Sequence, residues 1–377
     1  MRIVQLLPTM AMGDAIGNDV LALSTVIRNM GFQTGIYAET VDRRLPEGTA
    51  FPVEKMPRLS GEDVIIYHKS TGTDLSFSLE RYPCRKLMIF HNITPAKYFK
   101  GYNDNLTRIS EYGMRGLCHL ADKVDYCMAV SAYNAQVLRE LNYQCPIVIR
   151  PILIPFSDYA KAPDPEVMAR YENDGYTNFV FVGRIAPNKK QEDVIRAFYC
   201  YKKYCNPKSR LFLVGSYQGM ERYYHRLKSY INALELRRYV GALELDNVVF
   251  TGHISFPAIL AYYHLADLFL CMSEHEGFCV PLVEAMYFGV PILAYDSSAI
   301  ADTLGGSGVL LSSNDPMEAA MCADRILRDA ALRREIVAGQ RRRQQDFAYP
   351  EIRKLFEQQL QEFLQTVPPY VRKKKRK

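Results

Sequence analysis

The feature that most constrains the fold is a repeated alternation of short apolar runs with helical patterns along the chain. The stretch from Asp19 to Met30 is typical of the helical segments, with apolar residues on one face at intervals of three or four. Such alternation predicts parallel sheets that are covered by helices on both faces. The alternation occurs in two sets, so we predict an α/β chain with two domains. The predicted strands cover residues 3–7, 35–38, 64–68, 87–91, 126–130 and 147–151 in the first set and 179–182, 211–214, 248–251, 267–272, 292–295 and 309–311 in the second.

A proline-rich segment predicts the boundary between these two Rossmann-like domains. Residues 151–176 contain four prolines and no long apolar pattern, which is typical of a linker. The first domain is therefore predicted at 1–150 and the second at 177–345. A final helical stretch at 350–365 is expected to pack back on the first domain, ahead of a basic tail at 371–377. Because open α/β sheets bind ligands beyond the carboxyl ends of their strands, two facing domains predict a cleft between them.

Composition excludes several classes of protein. The chain has 377 residues, of which 48% are hydrophobic and 23% charged, and this is globular composition. No apolar run approaches the roughly 18 residues that a membrane-spanning helix needs, and the N-terminus lacks the cleavage site of a signal peptide. The nine cysteines form no CxxC pair and do not cluster with histidines. We therefore expect a reduced, cytoplasmic protein without a structural zinc site.

The positive net charge is confined to the C-terminus. The formal charge is +6, and the last six residues are all basic, so the rest of the chain has 41 basic and 41 acidic residues. This balance gives no reason to expect nucleic-acid binding. Polybasic segments bind anionic lipid surfaces, so docking of residues 372–377 to the inner face of a membrane is one interpretation. A solvated terminus without a role is the other.

Two glutamates mark the most informative motif. The strand predicted at 267–272 is followed by a turn with Glu276 and Gly277, and then by a helix that contains Pro281 and Glu284. Carboxylates accept hydrogen bonds from hydroxyls, and helix N-termini attract phosphate. The arrangement therefore suits a sugar linked to a phosphate. The alternative is that both are surface glutamates, which are common near helix N-termini because the helix dipole favours them.

Two cations follow the first strand of the second domain. Arg184 comes directly after Gly183 at the strand end, and Lys189 follows five residues later, near a predicted helix start. A guanidinium offers a planar fork and an ammonium a point charge, so together they are suited to neutralise a diphosphate leaving group. The alternative is a solvated loop with surface charges.

Taken together, these motifs resemble glycosyltransferase family 4. The resemblance rests on Gly183-Arg184 with Lys189, and on the sequence from Glu276 to Glu284 that follows about ninety residues later. That family is retaining, uses nucleotide-activated sugars and has the GT-B fold of two facing Rossmann-like domains with a donor cleft between them. Two positions depart from it, since Lys190 and Cys279 stand where the family commonly has glycine.

The resemblance implies a role for each matching residue in the second domain. Arg184 and Lys189 would bind the donor diphosphate, and Glu284 would bind the ribose hydroxyls of the nucleotide. Glu276 would hold hydroxyls of the donor sugar, with the backbone N–H groups of the next three residues nearby. The remaining residues implied to contact the donor are Gly277, Phe278 and Cys279 in that turn, His253 and Ile254 around the base, and Gly215 and Ser216 in the same pocket.

Candidates in the first domain follow predicted strands. Gly13 and Asp14 lie in the loop after the first strand, which in the family reaches the donor phosphates and the acceptor. The alternative is an ordinary glycine turn with an aspartate helix cap. His91 ends another strand and resembles the family position that contacts the donor sugar, although a lone histidine is more often structural. Residues 68–72 end the preceding strand and are polar enough to contact the acceptor.

The resemblance implies a retaining hexosyltransferase, which would act on a carbohydrate or lipid-linked acceptor, as in surface polysaccharide or glycolipid assembly. Its transition state resembles an oxocarbenium ion, and its catalytic residues would be Glu276, Arg184, Lys189 and His91. No Asp-x-Asp sequence occurs, so we expect no metal ion and no cofactor besides the donor substrate. The alternatives are an inverting transferase or sugar-nucleotide epimerase of the GT-B fold, and a non-catalytic nucleotide-sugar binding protein.

Overall fold

The structure is a computed structural model that describes residues 1–236 and 247–371. The chain divides into two compact units. The first contains residues 1–96 and 105–156 together with the chain from Phe347 onward, and the second contains residues 97–104 and 157–346. None of the helices in the described ranges combines the length and the apolar character needed to cross a membrane. The predicted basic segment 372–377 lies outside the described residues.

The strands of the described residues are all parallel within their sheets. In chain order they are β1 (Ile3–Met10), β2 (Ile36–Val41), β3 (Phe51–Pro52), β4 (Val64–Lys69), β5 (Arg85–Phe90), β6 (Tyr126–Ala129), β7 (Ile147–Ile149), β8 (Thr177–Val182), β9 (Ser209–Val214), β10 (Val248–Gly252), β11 (Leu268–Cys271), β12 (Ile292–Tyr295) and β13 (Val309–Leu311).

Helices alternate with these strands, as the sequence pattern predicts. In chain order they are α1 (Ala15–Asn29), α2 (Leu75–Ser78), α3 (Asp104–His119), α4 (Ala132–Glu140), α5 (Pro165–Tyr171), α6 (Gln191–Tyr204), α7 (Glu221–Leu236), α8 (Phe256–Leu265), α9 (Val280–Phe288), α10 (Ile300–Leu304), α11 (Pro316–Arg328), α12 (Ala330–Gln345) and α13 (Tyr349–Thr366).

The first unit is built on a seven-stranded sheet in the order β3-β2-β1-β4-β5-β6-β7. The central strands β4 and β5 are buried at every position, as expected for parallel strands covered on both faces. The strand order reverses between β1 and β4. In open α/β sheets, ligands bind beyond the carboxyl ends of the strands at such a reversal, so the loops after β1 and β4 are the places to look for a site.

The last helix, α13, packs on this first unit. The Phe363 ring meets the Tyr126 ring edge-on at a centroid distance of 5.7 Å, and Gln359 Nε2 donates to the carbonyl oxygen of Ile149 at 2.9 Å. Arg85 at the start of β5 is buried and donates to the carbonyl oxygen of Val367 at 3.3 Å. Arg85 Nη2 also donates to the carbonyl oxygen of Glu62 at 2.8 Å. The strand β5 begins at this arginine, two residues before the predicted strand.

A buried ion pair ties α1 to the end of β7. Arg150 Nη1 and Nη2 donate to the two carboxylate oxygens of Asp19 at 2.9 and 2.7 Å, and neither side chain is exposed. The backbone N–H of Leu153 donates to the same carboxylate at 2.9 Å. Removing one member of such a pair leaves an uncompensated buried charge, so this pair fixes where the chain leaves the first sheet.

The second unit has a six-stranded sheet in the order β10-β9-β8-β11-β12-β13. Its core contains fully buried aromatic side chains on three adjacent strands, Phe179, Phe212 and Phe269. The strand order reverses between β8 and β11, which are hydrogen-bonded neighbours. The two motifs that the sequence singled out in this half follow these two strands.

One strand has no predicted counterpart. β3 pairs with β2 through only two residues, Phe51 and Pro52. Both side chains are exposed, so no buried apolar pattern marks the strand in the sequence. Proline is tolerated there because β3 is the edge of the sheet, where an N–H is not needed for the ladder.

Candidate functional site

The candidate site of the second unit lies at the reversal of its sheet. Arg184 and Lys189 follow β8, and Glu276 follows β11. Because β8 and β11 are parallel neighbours, their carboxyl ends lie at the same edge of the sheet. Two motifs about ninety residues apart in sequence are therefore brought together, as the rule for open α/β sheets leads us to expect.

Lys189 and Glu276 form a buried ion pair at this edge. Lys189 Nζ donates to both carboxylate oxygens of Glu276, and the two side chains are 21% and 8% exposed. Burial is the largest single influence and lowers the pKa of Lys189, but the charge and hydrogen bond of Glu276 together with the nearby cysteines raise it, so the pKa lies above its ordinary value. The ammonium is therefore charged. Lys189 and Glu276, which were predicted to bind different parts of a ligand, are also bound to each other.

Hydrogen bonds hold the turn that carries Glu276. Ser298 Oγ accepts from the backbone N–H of Glu276 at 2.8 Å. Asn188 Nδ2 donates to the carbonyl oxygen of His275 at 3.0 Å, and the carbonyl oxygen of Asn188 accepts from the N–H of Glu274 at 2.9 Å. The loops after β8 and β11 are therefore joined by backbone contacts next to the ion pair.

Both departures from the family's glycines lie in the left-handed backbone region. Lys190, directly before α6, has a φ of 51°, and Cys279, directly before α9, has a φ of 68°. Residues with a Cβ adopt this region at a cost of about 1–2 kcal/mol, whereas glycine does not pay that steric penalty. This explains why glycine suits both positions. In this chain Lys190 Nζ also lies 2.9 Å from Glu274 Oε1.

In the turn after β11, the side chains of Phe278 and Cys279 point into the protein, and the backbone is the part that a ligand can reach. Phe278 and Cys279 are buried, and Cys279 belongs to the hydrophobic core of the unit. Gly277 is half-buried and has no side chain to block the backbone. The groups of this turn that suit an anion are therefore its backbone N–H groups and the N-terminus of α9.

Glu284, in the second turn of α9, accepts from two tyrosines. Tyr159 Oη donates to Oε1 at 2.7 Å and Tyr263 Oη donates to Oε2 at 2.6 Å. Burial raises the pKa of Glu284, and the two phenol hydrogen bonds oppose that rise. No sequence signal pointed to Tyr159, because it lies in the segment predicted as a linker.

A close backbone approach shapes the loop after β9. A Cβ on Gly215 would lie 2.0 Å from the carbonyl oxygen of Gly183, so only glycine fits. Gly215 also donates to Thr251 Oγ1 at 3.3 Å. The carbonyl oxygen of Ser216 accepts from Ile185 N at 2.9 Å, which aligns this loop with the one that carries Arg184.

Arg184 is exposed and belongs to this pair of loops. Its Nη2 donates to the carbonyl oxygen of Gln218 at 2.9 Å. Arg184 is therefore bound to a neutral carbonyl group, whereas Lys189 is paired with a carboxylate. The guanidinium therefore retains donors for an anion.

The two residues predicted to frame a base are placed differently. His253 is exposed after β10, whereas Ile254 packs against the hydrophobic core of the unit. Ser255 follows and caps α8 by accepting from Ala258 N at 3.4 Å. The segment therefore offers a ligand its backbone and the His253 side chain, rather than the Ile254 side chain.

In the first unit, Gly13 and Asp14 form the turn between β1 and α1. Gly13 has a φ of 75°, with open space where a Cβ would stand. Asp14 caps the helix by accepting from Gly17 N at 3.3 Å. The capping role weighed in the sequence analysis is therefore present, and the turn lies at the reversal of this sheet.

His91 follows β5 and belongs to a chain of buried polar side chains. His91 Nε2 lies 2.9 Å from His68 Nδ1, and His68 Nε2 lies 3.0 Å from Gln5 Oε1. Gln5 Nε2 donates to the carbonyl oxygen of Val20 at 2.9 Å, so Gln5 offers His68 an acceptor. His68 is then protonated on Nε2, and His91 on Nε2, when both rings are neutral. Burial lowers the pKa of His91 to about 4, which favours that neutral form.

Asp19, His68 and His91 form the one group of three metal-ligating residue types found among the described residues. Their ligand atoms lie within 4.8 Å of one another. Both Asp19 oxygens already accept from Arg150, and the histidine rings are hydrogen-bonded to each other. A cation would have to compete with that guanidinium, so the hydrogen-bonded network accounts for the cluster without a metal.

A family comparison matches the second unit. Residues 166–343 match the family of glycosyl transferases group 1. The serotype-specific mannosyltransferase WbdA of Escherichia coli is 27% identical over 121 residues, which are 32% of this chain and 14% of that protein. The O-antigen chain mannosyltransferase B of Escherichia coli is 23% identical over 208 residues, 54% of this chain and 52% of that protein. The chain thus spans only part of these relatives.

Solved structures extend the likeness to nearly the whole chain. Anabaena HepE, solved in complex with UDP and glucose, has a TM-score of 0.73 and 18% identity, covering 96% of this chain and all of the other. At this identity the likeness concerns the fold, and it confirms the predicted GT-B class with its two parallel-sheet units. The chain therefore has the GT-B fold, and residues 166–343 of its second unit match the family of glycosyl transferases group 1.

Proposed function

We propose that this protein is a retaining glycosyltransferase that moves a hexose from a nucleoside diphosphate sugar to an acceptor hydroxyl. The observation that carries the proposal is the pairing of Lys189 with Glu276 at the reversal of the second sheet. A cation for phosphate and a carboxylate for hydroxyls lie there in direct contact, and the exposed Arg184 belongs to the same loop after β8 as Lys189. A nucleotide sugar carries phosphate and sugar hydroxyls next to each other. It is therefore the ligand class that can use this cation and this carboxylate at the same time.

Each group has a part in the proposed donor complex. Arg184 and Lys189 bind the diphosphate together with the N-terminus of α9. Glu276 accepts from hydroxyls of the sugar, and Glu284 from the hydroxyls of the ribose. In the first unit, His91 is proposed to contact the donor sugar, and Gly13 and Asp14 the acceptor side.

The same groups suit the transition state of sugar transfer. As the bond to the anomeric carbon breaks, positive charge develops on the sugar ring and negative charge on the leaving phosphate. Fixed cations and helix N–H groups stabilise a developing negative charge without having to reorganise. Arg184 and Lys189 supply that charge in this chain, so we propose that the leaving group departs without a metal ion. The retained configuration is proposed from the resemblance to family 4.

The names of the relatives suggest a biological setting. Two Escherichia coli relatives are mannosyltransferases, one named as serotype-specific and the other as an O-antigen chain mannosyltransferase. We propose that this protein likewise acts in surface polysaccharide or glycolipid assembly, on a carbohydrate or lipid-linked acceptor.

Residues 372–377 are proposed to dock the protein on an anionic membrane in that setting. Each basic residue near such a surface contributes about 1 kcal/mol. Deleting these six residues should reduce binding to vesicles that contain anionic lipid, measured by sedimentation at low salt. Binding that survives the deletion unchanged would remove this part of the proposal.

The enzyme assignment is tested with a panel of nucleotide sugars. A thermal-shift measurement first identifies the donor. A ligand present at 100 times its Kd stabilises the folded protein by about 2.7 kcal/mol, which raises its melting temperature. Hydrolysis and transfer are then measured for the wild type and Glu276→Ala, and NMR gives the anomeric configuration of the product. A retained configuration with loss of activity in the variant supports the proposal. An inverted configuration of the product contradicts the retaining mechanism. A wild type that neither hydrolyses nor transfers sugar from any nucleotide sugar contradicts the assignment as an enzyme.

A further inference from the structure

We infer that Tyr159 and Tyr263 are positioning residues that hold the Glu284 carboxylate for a vicinal diol, the ribose of a nucleoside diphosphate. The inference deepens the proposed function and rests on it. Its starting point is geometric, because one phenol donates to each carboxylate oxygen, at 2.7 Å from Tyr159 and 2.6 Å from Tyr263. Both tyrosines precede Glu284 in sequence, by 125 and 21 residues, so they come from separate parts of the chain.

The phenols orient the carboxylate without using up its acceptors. An ionised carboxylate has about four acceptor positions on its two oxygens, and the tyrosines occupy one on each. One position therefore remains on each oxygen, side by side, and two adjacent hydroxyls of one sugar match that spacing. Glu284 is half-buried rather than enclosed, which leaves part of the residue open to a ligand.

The phenols are held in place and remain donors. The Tyr263 ring stacks on the Phe288 ring at a centroid distance of 5.1 Å and an angle of 7°. Tyr159 lies against the same Phe288 ring at 6.0 Å, edge-on, and against Phe256 at 5.6 Å. Burial and the Glu284 charge raise the pKa of both tyrosines, so neither phenol ionises near neutral pH.

The same contacts favour an ionised Glu284. Each oxygen already accepts a hydrogen bond from an O–H group. A protonated carboxyl would have to point its own proton elsewhere, and its hydroxyl oxygen would be a weaker acceptor. The two tyrosines therefore stabilise the form of Glu284 that accepts from hydroxyls of a ligand.

The test compares binding of matched nucleotides. Isothermal titration with UDP, GDP and their 2′-deoxy and 3′-deoxy analogues is carried out on the wild type, Tyr159→Phe, Tyr263→Phe and the double variant. Phenylalanine keeps the ring packing and removes only the hydroxyl. The control is Tyr262→Phe, because Tyr262 is a buried neighbour in α8 whose ring packs on Tyr171 and Phe212.

We expect the wild type to bind the ribonucleotide about 10- to 100-fold more tightly than either deoxy analogue, the effect of one hydrogen bond to a charged group. Each single variant should narrow this ratio, the double variant should bring it to within about threefold, and Tyr262→Phe should retain it. A ratio of affinities within one variant is unaffected by a change in that variant's stability. A purely structural role would leave the ratio intact.

The outcomes separate the inference from the function on which it rests. If the wild type binds UDP or GDP but does not prefer the ribonucleotide, or if the double variant keeps the wild-type ratio, the inference is overturned and the proposed function stands. If the wild type binds neither nucleotide nor any nucleotide sugar, the proposed function is overturned together with the inference.

Discussion

Lys189 Nζ donates to both carboxylate oxygens of Glu276, although the resemblance to family 4 assigns these two residues to different parts of a ligand. The ion pair is mostly buried, and removing one partner of such a pair leaves a buried charge that costs about 3–5 kcal/mol. A phosphate that binds Lys189 must therefore share the ammonium with Glu276. The first prediction follows from this competition.

We expect Glu276→Gln to bind a nucleoside diphosphate at least as tightly as the wild type but to transfer sugar at least tenfold more slowly. The amide keeps the shape of the side chain, removes the negative charge that competes for Lys189, and weakens the acceptor for sugar hydroxyls. Isothermal titration and initial rates measure the two effects separately. Glu274→Gln is the matched control, because it changes a carboxylate in the same turn that pairs with Lys190. A parallel loss of diphosphate affinity in Glu276→Gln would contradict the competition.

Cys279 gives a prediction from backbone strain. Its φ of 68° is accessible to glycine and strongly disfavoured for a β-branched residue. Cys279→Gly should change the free energy of unfolding by less than about 1 kcal/mol, because relief of about 1–2 kcal/mol of strain opposes the loss of the buried side chain and the greater flexibility of glycine. Cys279→Val should destabilise by at least about 2 kcal/mol. Urea unfolding measures both changes, and Cys322→Val in helix α11 is a control at a position with helical backbone. Equal stabilities of the two Cys279 variants would refute the prediction.

The sequence predicts the sheets better than it predicts the contacts at the site. Each of the twelve predicted strands overlaps a strand of the described residues, because a strand buried on both faces leaves a continuous apolar run. The two donor motifs were also recognisable, since Arg184 and Glu276 each follow such a run. These features are local, so a short window of sequence contains them.

The contacts that orient the site are long-range and leave no local pattern. Tyr159 lies in the segment predicted as a linker and reaches Glu284, 125 residues away. Arg150 was assigned to the end of the first domain without a partner, and it binds Asp19 across 131 residues. In both cases the residue types are common, and only the folded chain brings the partners together.

Two glycines provide a prediction with opposite signs. A Cβ on Gly215 would lie 2.0 Å from the carbonyl oxygen of Gly183, which is backbone and cannot move aside alone. Gly215→Ala should therefore destabilise the protein by several kcal/mol, in the range of other strained core substitutions. Gly339 lies within α12, and apart from the neighbouring backbone of its own helix the nearest atom to its Cβ position is Arg342 Nη2, 3.8 Å away. Gly339→Ala should stabilise by about 1 kcal/mol, the difference in helix propensity.

Thermal and urea unfolding of the two variants check these signs. Diphosphate binding adds a second readout, because Gly215 lies in the loop aligned with that of Arg184, whereas α12 holds no candidate donor residue. Gly339→Ala should bind a nucleoside diphosphate as the wild type does. A Gly215→Ala variant with wild-type stability would mean that the two loops separate more readily than their hydrogen bonds suggest.

The buried histidines predict how stability depends on pH. Burial lowers the pKa of His91 from 6.5 to about 4 and lowers that of His68 well below its ordinary value. The unfolded chain therefore takes up protons below pH 6.5 that the folded chain does not, and stability falls as the pH falls from 6.5 toward 4. The two histidines together should lose on the order of 3 kcal/mol of stability between pH 6.5 and 5, since one pKa unit corresponds to 1.36 kcal/mol. Urea unfolding across this range measures how the free energy of unfolding depends on pH.

His91→Asn should reduce this pH dependence, and His253→Gln, at an exposed position, should leave it unchanged. A slope that is the same in His91→Asn and the wild type would show that other groups control the acid sensitivity.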